Sequence, residues 1–180
     1  MTGRFIAIVG ASGVGKDSVM AALAARDPRL RLVRRVITRP SDAGGEDFDG
    51  VTADAFHARA AQGDFALHWP AHGLHYAIPA TVLDDLAAGR DMLANLSRAA
   101  LPAAKAQFDP FMVIQLTARR DVLAARLAAR GREAADDIAR RLDRADHALP
   151  AGIEAVSIDN SADLDTTLGA VLRLLYPVKV

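Results

Sequence analysis

Short apolar runs alternate with amphipathic segments along most of the chain. Four runs have the length and composition of strands buried on both faces of a parallel sheet: Phe5–Val9, Met92–Leu96, Phe111–Leu116 and Glu154–Ile158. Five segments show helical periodicity or helix-end signals: Lys16–Ala25, Ala53–Gln62, Thr81–Ala88, Arg98–Ala106 and Ala162–Leu175. Two further helices, rich in arginine, are predicted on either side of Gly131, in RRDVLAARLAARGRE and ADDIARRLDRADHAL. Strands that alternate with helices predict an α/β fold, in which a parallel sheet forms the middle of three layers.

The alternation breaks between about residues 34 and 77. Leu30–Thr38 alternates polar with apolar residues and predicts one partly exposed strand. Thr52 is placed to cap the helix Ala53–Gln62, which ends before Gly63. The stretch FALHWPAHGLHYAIP contains a glycine, two prolines and three histidines, and it predicts irregular structure. We interpret residues 34–77 as an insertion that lies over a ligand site.

The chain is predicted to form one domain. Its 180 residues are enough to bury a sizeable core. We assign residues 1–33, 78–117 and 148–180 to that core, and about 118–147 to a lid.

Charge and composition exclude several classes of function. The formal net charge is zero, so neither nucleic acid nor a membrane is expected as a partner. The chain has no cysteine, which excludes disulfides and thiolate chemistry. The apolar run at the N-terminus is too short for a signal segment or a membrane span. We therefore expect a cytoplasmic protein.

The segment GASGVGKDS, from Gly10 to Ser18, lies between the first strand and the first helix. It matches the phosphate-loop pattern G-x-x-x-x-G-K-[ST] except at the last position. Backbone N–H groups and the helix N-terminus favour a phosphate there, and Lys16 is expected to reach the β- and γ-phosphates of a nucleotide. The candidate nucleotide-binding residues are Gly10, Ala11, Ser12, Gly13, Val14, Gly15, Lys16 and Asp17.

Asp17 stands where the pattern asks for Ser or Thr. A bare carboxylate repels a triphosphate by about 4 kcal/mol per charge pair at about 4 Å, for an effective dielectric near 20. Mg²⁺ between them removes the conflict, because a carboxylate is a hard oxygen ligand. Asp17 is therefore our candidate metal ligand and Ser18 ranks second. The alternative is that Asp17 only favours the first turn of the helix.

Arginines and acids cluster around the start of the predicted insertion: Arg34, Arg35, Arg39, Glu46 and Asp47. Arg39 precedes a proline, which holds it extended and suits it to grip an anion. The alternative is a solvated basic strand.

The irregular stretch carries His68, His72 and His75 beside Trp69 and Tyr76. Histidines at this spacing could indicate a metal site, but Pro70 and Gly73 exclude a continuous helix and no acid or cysteine completes a ligand set. We favour a polar wall for a hydroxylated, phosphorylated substrate. Trp69 alone is more typical of a core.

A second group of arginines follows the third predicted core strand: Arg126, Arg130, Arg132, Arg140, Arg141 and Arg144. They could pair with neighbouring aspartates along helix surfaces. Near a phosphate loop they could also close over a transferring phosphoryl group and stabilise its charge, with Gly131 as a hinge.

The segments GASGVGKD, TRP with GGED, FALHW with HGLHY, RLAARGRE and IARRL occur in the order seen in guanylate-kinase-like proteins. Nearly the whole chain shares this resemblance. Within the superfamily the chain is most similar to the ribose 1,5-bisphosphate phosphokinases of phosphonate catabolism, and RRVITRP, GGED and GKDS are the most telling matches. The resemblance implies ATP-dependent conversion of ribose 1,5-bisphosphate to 5-phosphoribosyl 1-diphosphate, with Mg²⁺.

The resemblance also implies roles for single residues. Arg39 and Tyr76 match residues that hold the acceptor phosphate, and three arginines match residues that close on ATP: Arg126, Arg130 and Arg141. We take the catalytic residues to be Lys16, Arg39, Arg130 and Arg141. The substrate-binding candidates are Arg35, Arg39, Glu46, His68, His75, Tyr76, Asn95 and Arg98.

Departures from guanylate kinase favour the sugar substrate. His68 stands where guanylate kinases carry a glutamate for guanine, and Asn95, or at best Asp91, matches their second acidic contact. Ser41 replaces a further arginine, for which Arg35 or Arg98 could compensate. Two alternatives remain: a nucleoside-monophosphate kinase of guanylate type, and a non-catalytic binding module on the same fold. The oligomeric state stays open, a homodimer included.

Overall fold

The computed structural model describes residues 2–43, 46–129 and 148–177. Its strands, in chain order, are β1 Phe5–Gly10, β2 Leu30–Leu32, β3 Val36–Ile37, β4 Asp49–Gly50, β5 Phe65–Ala71, β6 Leu74–Pro79, β7 Asp91–Asn95, β8 Phe111–Thr117 and β9 Val156–Asp159. Its α-helices are α1 Lys16–Arg26, α2 Ala53–Ala61, α3 Val82–Ala87, α4 Leu101–Gln107, α5 Arg120–Ala129 and α6 Leu164–Leu175. A 3₁₀ turn, Arg98–Ala100, precedes α4.

Five strands form a parallel sheet in the order β2-β7-β1-β8-β9. The central strand β1 is buried on both faces, which explains its continuous apolar sequence. Phe5, Ala7 and Val9 face a core formed with α3, α4 and the β5–β6 hairpin. Ile6 and Ile8 face a second core formed with α1, α5 and α6. The predicted three-layer α/β fold is therefore confirmed.

Most predicted elements of this sheet and its helices are confirmed. Each predicted core strand lies within two residues of the observed one. Thr52 caps α2 as predicted, since its hydroxyl oxygen accepts a hydrogen bond from the Ala55 N–H at 3.2 Å. The predicted helix Arg98–Ala106 begins instead as the 3₁₀ turn and continues as α4.

Residues 36–79 contain a second, mixed sheet in the order β4-β3-β6-β5. The prediction of a single strand over Leu30–Thr38 was wrong. The segment divides into β2, which pairs with β7 in the large sheet, and β3, which pairs with β6 in the small one. Val36, Ala77 and Phe56 of α2 form the buried core of this second unit.

The prediction of irregular structure for FALHWPAHGLHYAIP was also wrong. The stretch is an antiparallel hairpin, in which Trp69 pairs with Tyr76. Its two-residue turn is His72–Gly73, with φ angles of 53° and 74°, as expected of a type I′ turn. Pro70 is tolerated because β5 is an edge strand, where a missing N–H breaks no ladder.

A partly buried polar cluster joins Arg4, Asp91 and Tyr176 at the amino-terminal edge of the large sheet. The Arg4 side chain donates to Asp91 Oδ2 from Nη2 at 2.6 Å and from Nε at 3.2 Å. The Tyr176 hydroxyl donates to the same oxygen at 2.7 Å. Burial raises the pKa of the Asp91 carboxyl, but the hydrogen bonds from Arg4 and Tyr176 outweigh it and hold the pKa below its usual range. Ionised Asp91 therefore stabilises the fold.

Asp91→Asn is expected to lower the free energy of unfolding by about 2 kcal/mol at neutral pH, because it weakens charge-assisted hydrogen bonds. A lowered carboxyl pKa stabilises the fold above its unfolded value, near 3.9, and that stability disappears as the pH falls through the folded value. The gap between native protein and variant should thus shrink below about pH 4. Urea unfolding at several pH values measures both effects. The control is Asp165→Asn at the exposed ion pair with Arg26, which should change stability by less than about 1 kcal/mol.

Candidate active site

The strands of the large sheet all end at one edge, and the candidate site lies there. Because the strands are parallel, the loops after β1 and β7 are neighbours at their carboxyl ends. The hairpin of the small sheet reaches the same place. Together they enclose a cavity of about 640 Å³ lined by Val9, Gly10, Ala11, Ser12, Lys16, Arg35, Trp69, Ala71, His72, Tyr76, Asn95, Leu96, Ser97 and Arg98.

The phosphate loop connects β1 directly to α1, as its pattern predicts. Lys16 Nζ donates to the Gly10 carbonyl at 2.9 Å and to the Ala11 carbonyl at 3.2 Å, so the ammonium group lies over the loop. Gly13 has φ 83°, and an added Cβ would come within 3.0 Å of the Leu127 side chain. The positive φ angle favours glycine at that position, and the Leu127 side chain leaves little space for a Cβ.

Asp17 lies in the exposed first turn of α1, beside the loop. The Asn95 side-chain amide donates to Asp17 Oδ1 at 3.4 Å, which joins the first turn of α1 to the end of β7. Two of the predicted site residues, from distant parts of the sequence, therefore meet. The described residues contain no cluster of three or more His, Cys, Asp or Glu side chains suited to a metal.

Arg35 and Glu46 form a buried ion pair in the cavity wall. Arg35 is only 6% exposed, and its Nε donates to Glu46 Oε2 at 2.9 Å. A second bond joins Nη2 to Glu46 Oε1, and Nη1 donates to the Asn95 carbonyl at 2.9 Å. The Arg35 guanidinium also lies 5.1 Å from the Tyr76 ring centre. Arg35 lines the cavity, whereas Glu46 lies outside its described lining and fixes the Arg35 guanidinium through two hydrogen bonds.

Two of the predicted substrate-binding residues, His68 and His75, lie on the face of the hairpin that is turned away from the cavity. Trp69 and Tyr76 are cross-strand partners that line the cavity, with stacked rings 5.6 Å apart. His68 and His75 alternate with them and lie on the opposite face, against Phe56 of α2. The cavity histidine is His72, at the hairpin turn.

The remaining predicted residues of the acceptor side differ in position. Arg98 lines the cavity just after β7. Arg39 is half-buried beyond the end of β3, with its guanidinium 4.3 Å from the Phe48 ring centre, and does not belong to the described cavity lining.

Arg126 contacts the phosphate loop rather than the cavity. Its Nη1 donates to the Val14 carbonyl at 3.3 Å, and its Nη2 donates to the Asn160 carbonyl at 2.9 Å. Arg126 thus joins α5 to the loop and to the end of β9. The other five arginines of this group lie outside the described residues, as does Gly131: Arg130, Arg132, Arg140, Arg141 and Arg144.

Several residues at the site were not predicted from sequence. Leu96 and Ser97 line the cavity, and the Asn160 side chain donates to the Val14 carbonyl of the phosphate loop. Trp69, which the sequence favoured as a core residue, lines the cavity as well. A usable signal for Ser97 and Asn160 was their position just after core strands, since such positions gather at one edge of a parallel sheet. For Trp69, the signal was that Leu67, Trp69 and Ala71 stand at every second position, as apolar residues on one face of a strand do.

Comparison with solved structures identifies the class of fold. A crystal structure of guanylate kinase from Anaplasma phagocytophilum matches 97% of this chain and 84% of its own, with a TM-score of 0.63 and 16% sequence identity. The chain therefore has the guanylate-kinase-like P-loop fold. No protein-family model matches it.

Sequence relatives identify the family. The ribose 1,5-bisphosphate phosphokinase PhnN of Ruegeria sp. (strain TM1040) is 53% identical over 167 residues, which are 92% of this chain and 88% of that protein. The protein of the same name from Azotobacter vinelandii is 45% identical over 177 residues, 97% of each chain. The chain belongs to the ribose 1,5-bisphosphate phosphokinase family, as its motifs predicted.

Among the described residues, no helix has the length and apolar character that a membrane span needs.

Proposed function

We propose that the protein transfers the γ-phosphoryl group of ATP to the 1-phosphate of ribose 1,5-bisphosphate, giving 5-phosphoribosyl 1-diphosphate and ADP. One observation carries the proposal: a single cavity joins the phosphate loop to a wall of cationic and aromatic side chains. A donor phosphate at the loop and an acceptor phosphate at the wall would share this space.

The reaction requires little beyond positioning and charge neutralisation. An oxygen of the acceptor phosphate forms a bond to the γ-phosphorus, and the bond between that phosphorus and the β–γ bridging oxygen breaks. The attacking oxygen is already anionic, so no general base is needed. Lys16 would hold the transferring group from the loop side, while Arg35 and Arg98 would attract the acceptor from the wall.

The charge of the cavity favours a sugar bisphosphate over a nucleobase. Its described lining includes Lys16, Arg35 and Arg98 but no Asp or Glu. Guanine recognition relies on carboxylates that accept its N–H groups, and a cationic wall cannot replace them without losing discrimination. Two phosphates on one small acceptor suit two arginines. The stacked rings of Trp69 and Tyr76 offer an apolar surface for the sugar.

ATP and Mg²⁺ fit the residues at the loop. Lys16 and the loop amides suit a polyphosphate, and Mg²⁺ is commonly held by one or two carboxylates together with phosphates and water. Asp17 is an exposed hard oxygen ligand beside the loop and would be that carboxylate. Bound Mg²⁺ would neutralise part of the negative charge of the phosphates. Arg39, Arg130 and Arg141 remain predicted catalytic residues, and a lid over 118–147 remains a predicted division of the chain.

The proposed enzyme would act on small molecules in the cytoplasm, where ATP is available. Nucleic acid and membranes are not expected partners. A homodimer is compatible with the proposal, which does not require one.

Initial rates with alternative acceptors test the proposed function. With ATP and Mg²⁺, we expect kcat/KM for ribose 1,5-bisphosphate to exceed that for GMP by at least about 10²-fold. Ribose 5-phosphate serves as the control acceptor, because it lacks the 1-phosphate and should give no diphosphate product. Faster turnover of GMP would show a nucleoside-monophosphate kinase instead.

Asp17→Asn is expected to raise the Mg²⁺ concentration for half-maximal rate by several-fold, because an amide is a weaker ligand than a carboxylate. Apparent ATP affinity in excess metal should change less. The measurement is a Mg²⁺ titration of the rate at fixed ATP. Asp54→Asn is the matched control, since Asp54 also lies in the first turn of a helix but away from the loop. An unmoved titration would reduce Asp17 to a helix-end charge.

A further inference from the structure

Asn160 lies just after β9, and its side chain reaches the phosphate loop. It is 5% exposed, and its amide Nδ2 donates to the Val14 carbonyl at 2.7 Å. Its Oδ1 accepts a hydrogen bond from the Thr167 hydroxyl of α6, also at 2.7 Å. Its backbone N–H donates to the Thr117 carbonyl at 2.7 Å. Every one of these contacts is inside the protein, so Asn160 is firmly fixed.

The Thr167 contact fixes the orientation of the Asn160 amide. A hydroxyl that donates to Oδ1 leaves Nδ2 directed at the loop, where a carbonyl needs a donor. Thr167 is itself 1% exposed, so water does not compete with this bond. The edge strand β9, through Asn160, and helix α6, through Thr167, therefore together position one peptide group of the loop.

That peptide group joins Val14 to Gly15. In a trans peptide the C=O and the N–H point in opposite directions. Asn160 and Arg126 both hold the Val14 carbonyl on the outer side of the loop, so the Gly15 N–H is turned toward the inner side. Gly15 has φ 94°, and an added Cβ would come within 2.9 Å of Asn160 Nδ2. The close approach of Asn160 thus itself requires glycine at this position.

We propose that Asn160 is a positioning residue of the phosphate loop: by binding the Val14 carbonyl, it sets the Val14–Gly15 peptide so that the Gly15 N–H donates to a nucleotide phosphate. Thr167 supports it by orienting the amide. The inference rests on the proposed function, because it assumes a polyphosphate at the loop. Asn160 would touch no substrate; its effect passes through the peptide it holds.

The test compares binding of ATP and of inorganic tripolyphosphate by calorimetry, both with Mg²⁺. Asn160→Asp keeps the size and the acceptor for Thr167 but loses the donor to Val14. We expect it to weaken both ligands by about tenfold or more and by similar factors. Thr167→Val should weaken both by a smaller factor. The KM for ATP should rise accordingly, while the KM for ribose 1,5-bisphosphate stays unchanged.

Thr166→Val is the matched control, because the Thr166 hydroxyl donates to Asp163 at the start of α6, and the ligand affinities of this variant should not change. All binding is measured well below each variant's melting temperature. A lower melting temperature with unchanged affinities would make Asn160 merely structural and overturn the inference. Weaker ATP with unchanged tripolyphosphate would overturn it too, because Asn160 would then act on the nucleoside. If Asn160→Asp does not fold, Thr167→Val decides by the same criteria.

The native protein separates this inference from the function on which it rests. If native protein binds neither ATP nor tripolyphosphate, the proposed function fails and the inference falls with it. If native protein binds both and the variants bind equally well, only the inference fails.

Discussion

Lys16→Ala is expected to lower kcat/KM by at least about 10³-fold, because it removes an ammonium group that lies over the phosphate loop and would stabilise the transferring charge. The fold should persist, since the Lys16 side chain donates to the Gly10 and Ala11 carbonyls of the loop, at 2.9 and 3.2 Å, and is not part of the buried core. Steady-state rates together with a thermal melt measure both parts.

Lys105→Ala is the matched control for Lys16. Lys105 also donates to a backbone carbonyl, that of Gly152 at 2.9 Å, but it lies on α4 outside the candidate site. Its loss should leave kcat/KM within about twofold of native, as expected for a charge remote from the reacting groups. If Lys16→Ala kept native turnover, the phosphate loop would have no part in the reaction.

Arg35→Ala is expected to lower the free energy of unfolding by about 3–5 kcal/mol, because it leaves the Glu46 carboxylate partly buried without its partner. The Glu46 side chain is 16% exposed, and the Asn95 carbonyl would lose its donor as well. Protein that remains folded should have a higher KM for ribose 1,5-bisphosphate, since Arg35 lines the acceptor wall. Urea unfolding and acceptor kinetics measure the two effects.

Arg34→Ala provides the control for Arg35 at the adjacent position. Arg34 pairs with Asp47 at 3.2 Å in an exposed ion pair, with side chains 61% and 85% exposed. Such pairs contribute at most about 1 kcal/mol. If Arg35→Ala and Arg34→Ala lowered the free energy of unfolding equally, the buried Arg35–Glu46 pair would stabilise the fold no more than an exposed ion pair does.

Local sequence patterns predicted the phosphate loop and the large sheet well, because both depend on short-range features. A continuous apolar run such as Phe5–Val9 is buried on both faces wherever its neighbours come from. The glycine spacing of the loop follows from its own backbone, as Gly13 illustrates with φ 83°.

The acceptor side was predicted less well, because it depends on strand register between distant segments. The alternation of β5 places Trp69 toward the cavity and His68 away from it, and only the pairing with β6 reveals which face is which. Arg35 was one of several equivalent arginines in the sequence. Its burial follows from contacts with Glu46 and the Asn95 carbonyl, which lie 11 and 60 residues away.

Identification of the product by ³¹P NMR and mass spectrometry tests the central claim most directly. Purified protein is incubated with ATP, Mg²⁺ and ribose 1,5-bisphosphate. The account predicts a new pair of coupled diphosphate signals for a sugar that keeps its 5-phosphate, with one ADP formed per product. A product phosphorylated elsewhere, or ADP with inorganic phosphate and unchanged sugar, would contradict transfer to the 1-phosphate.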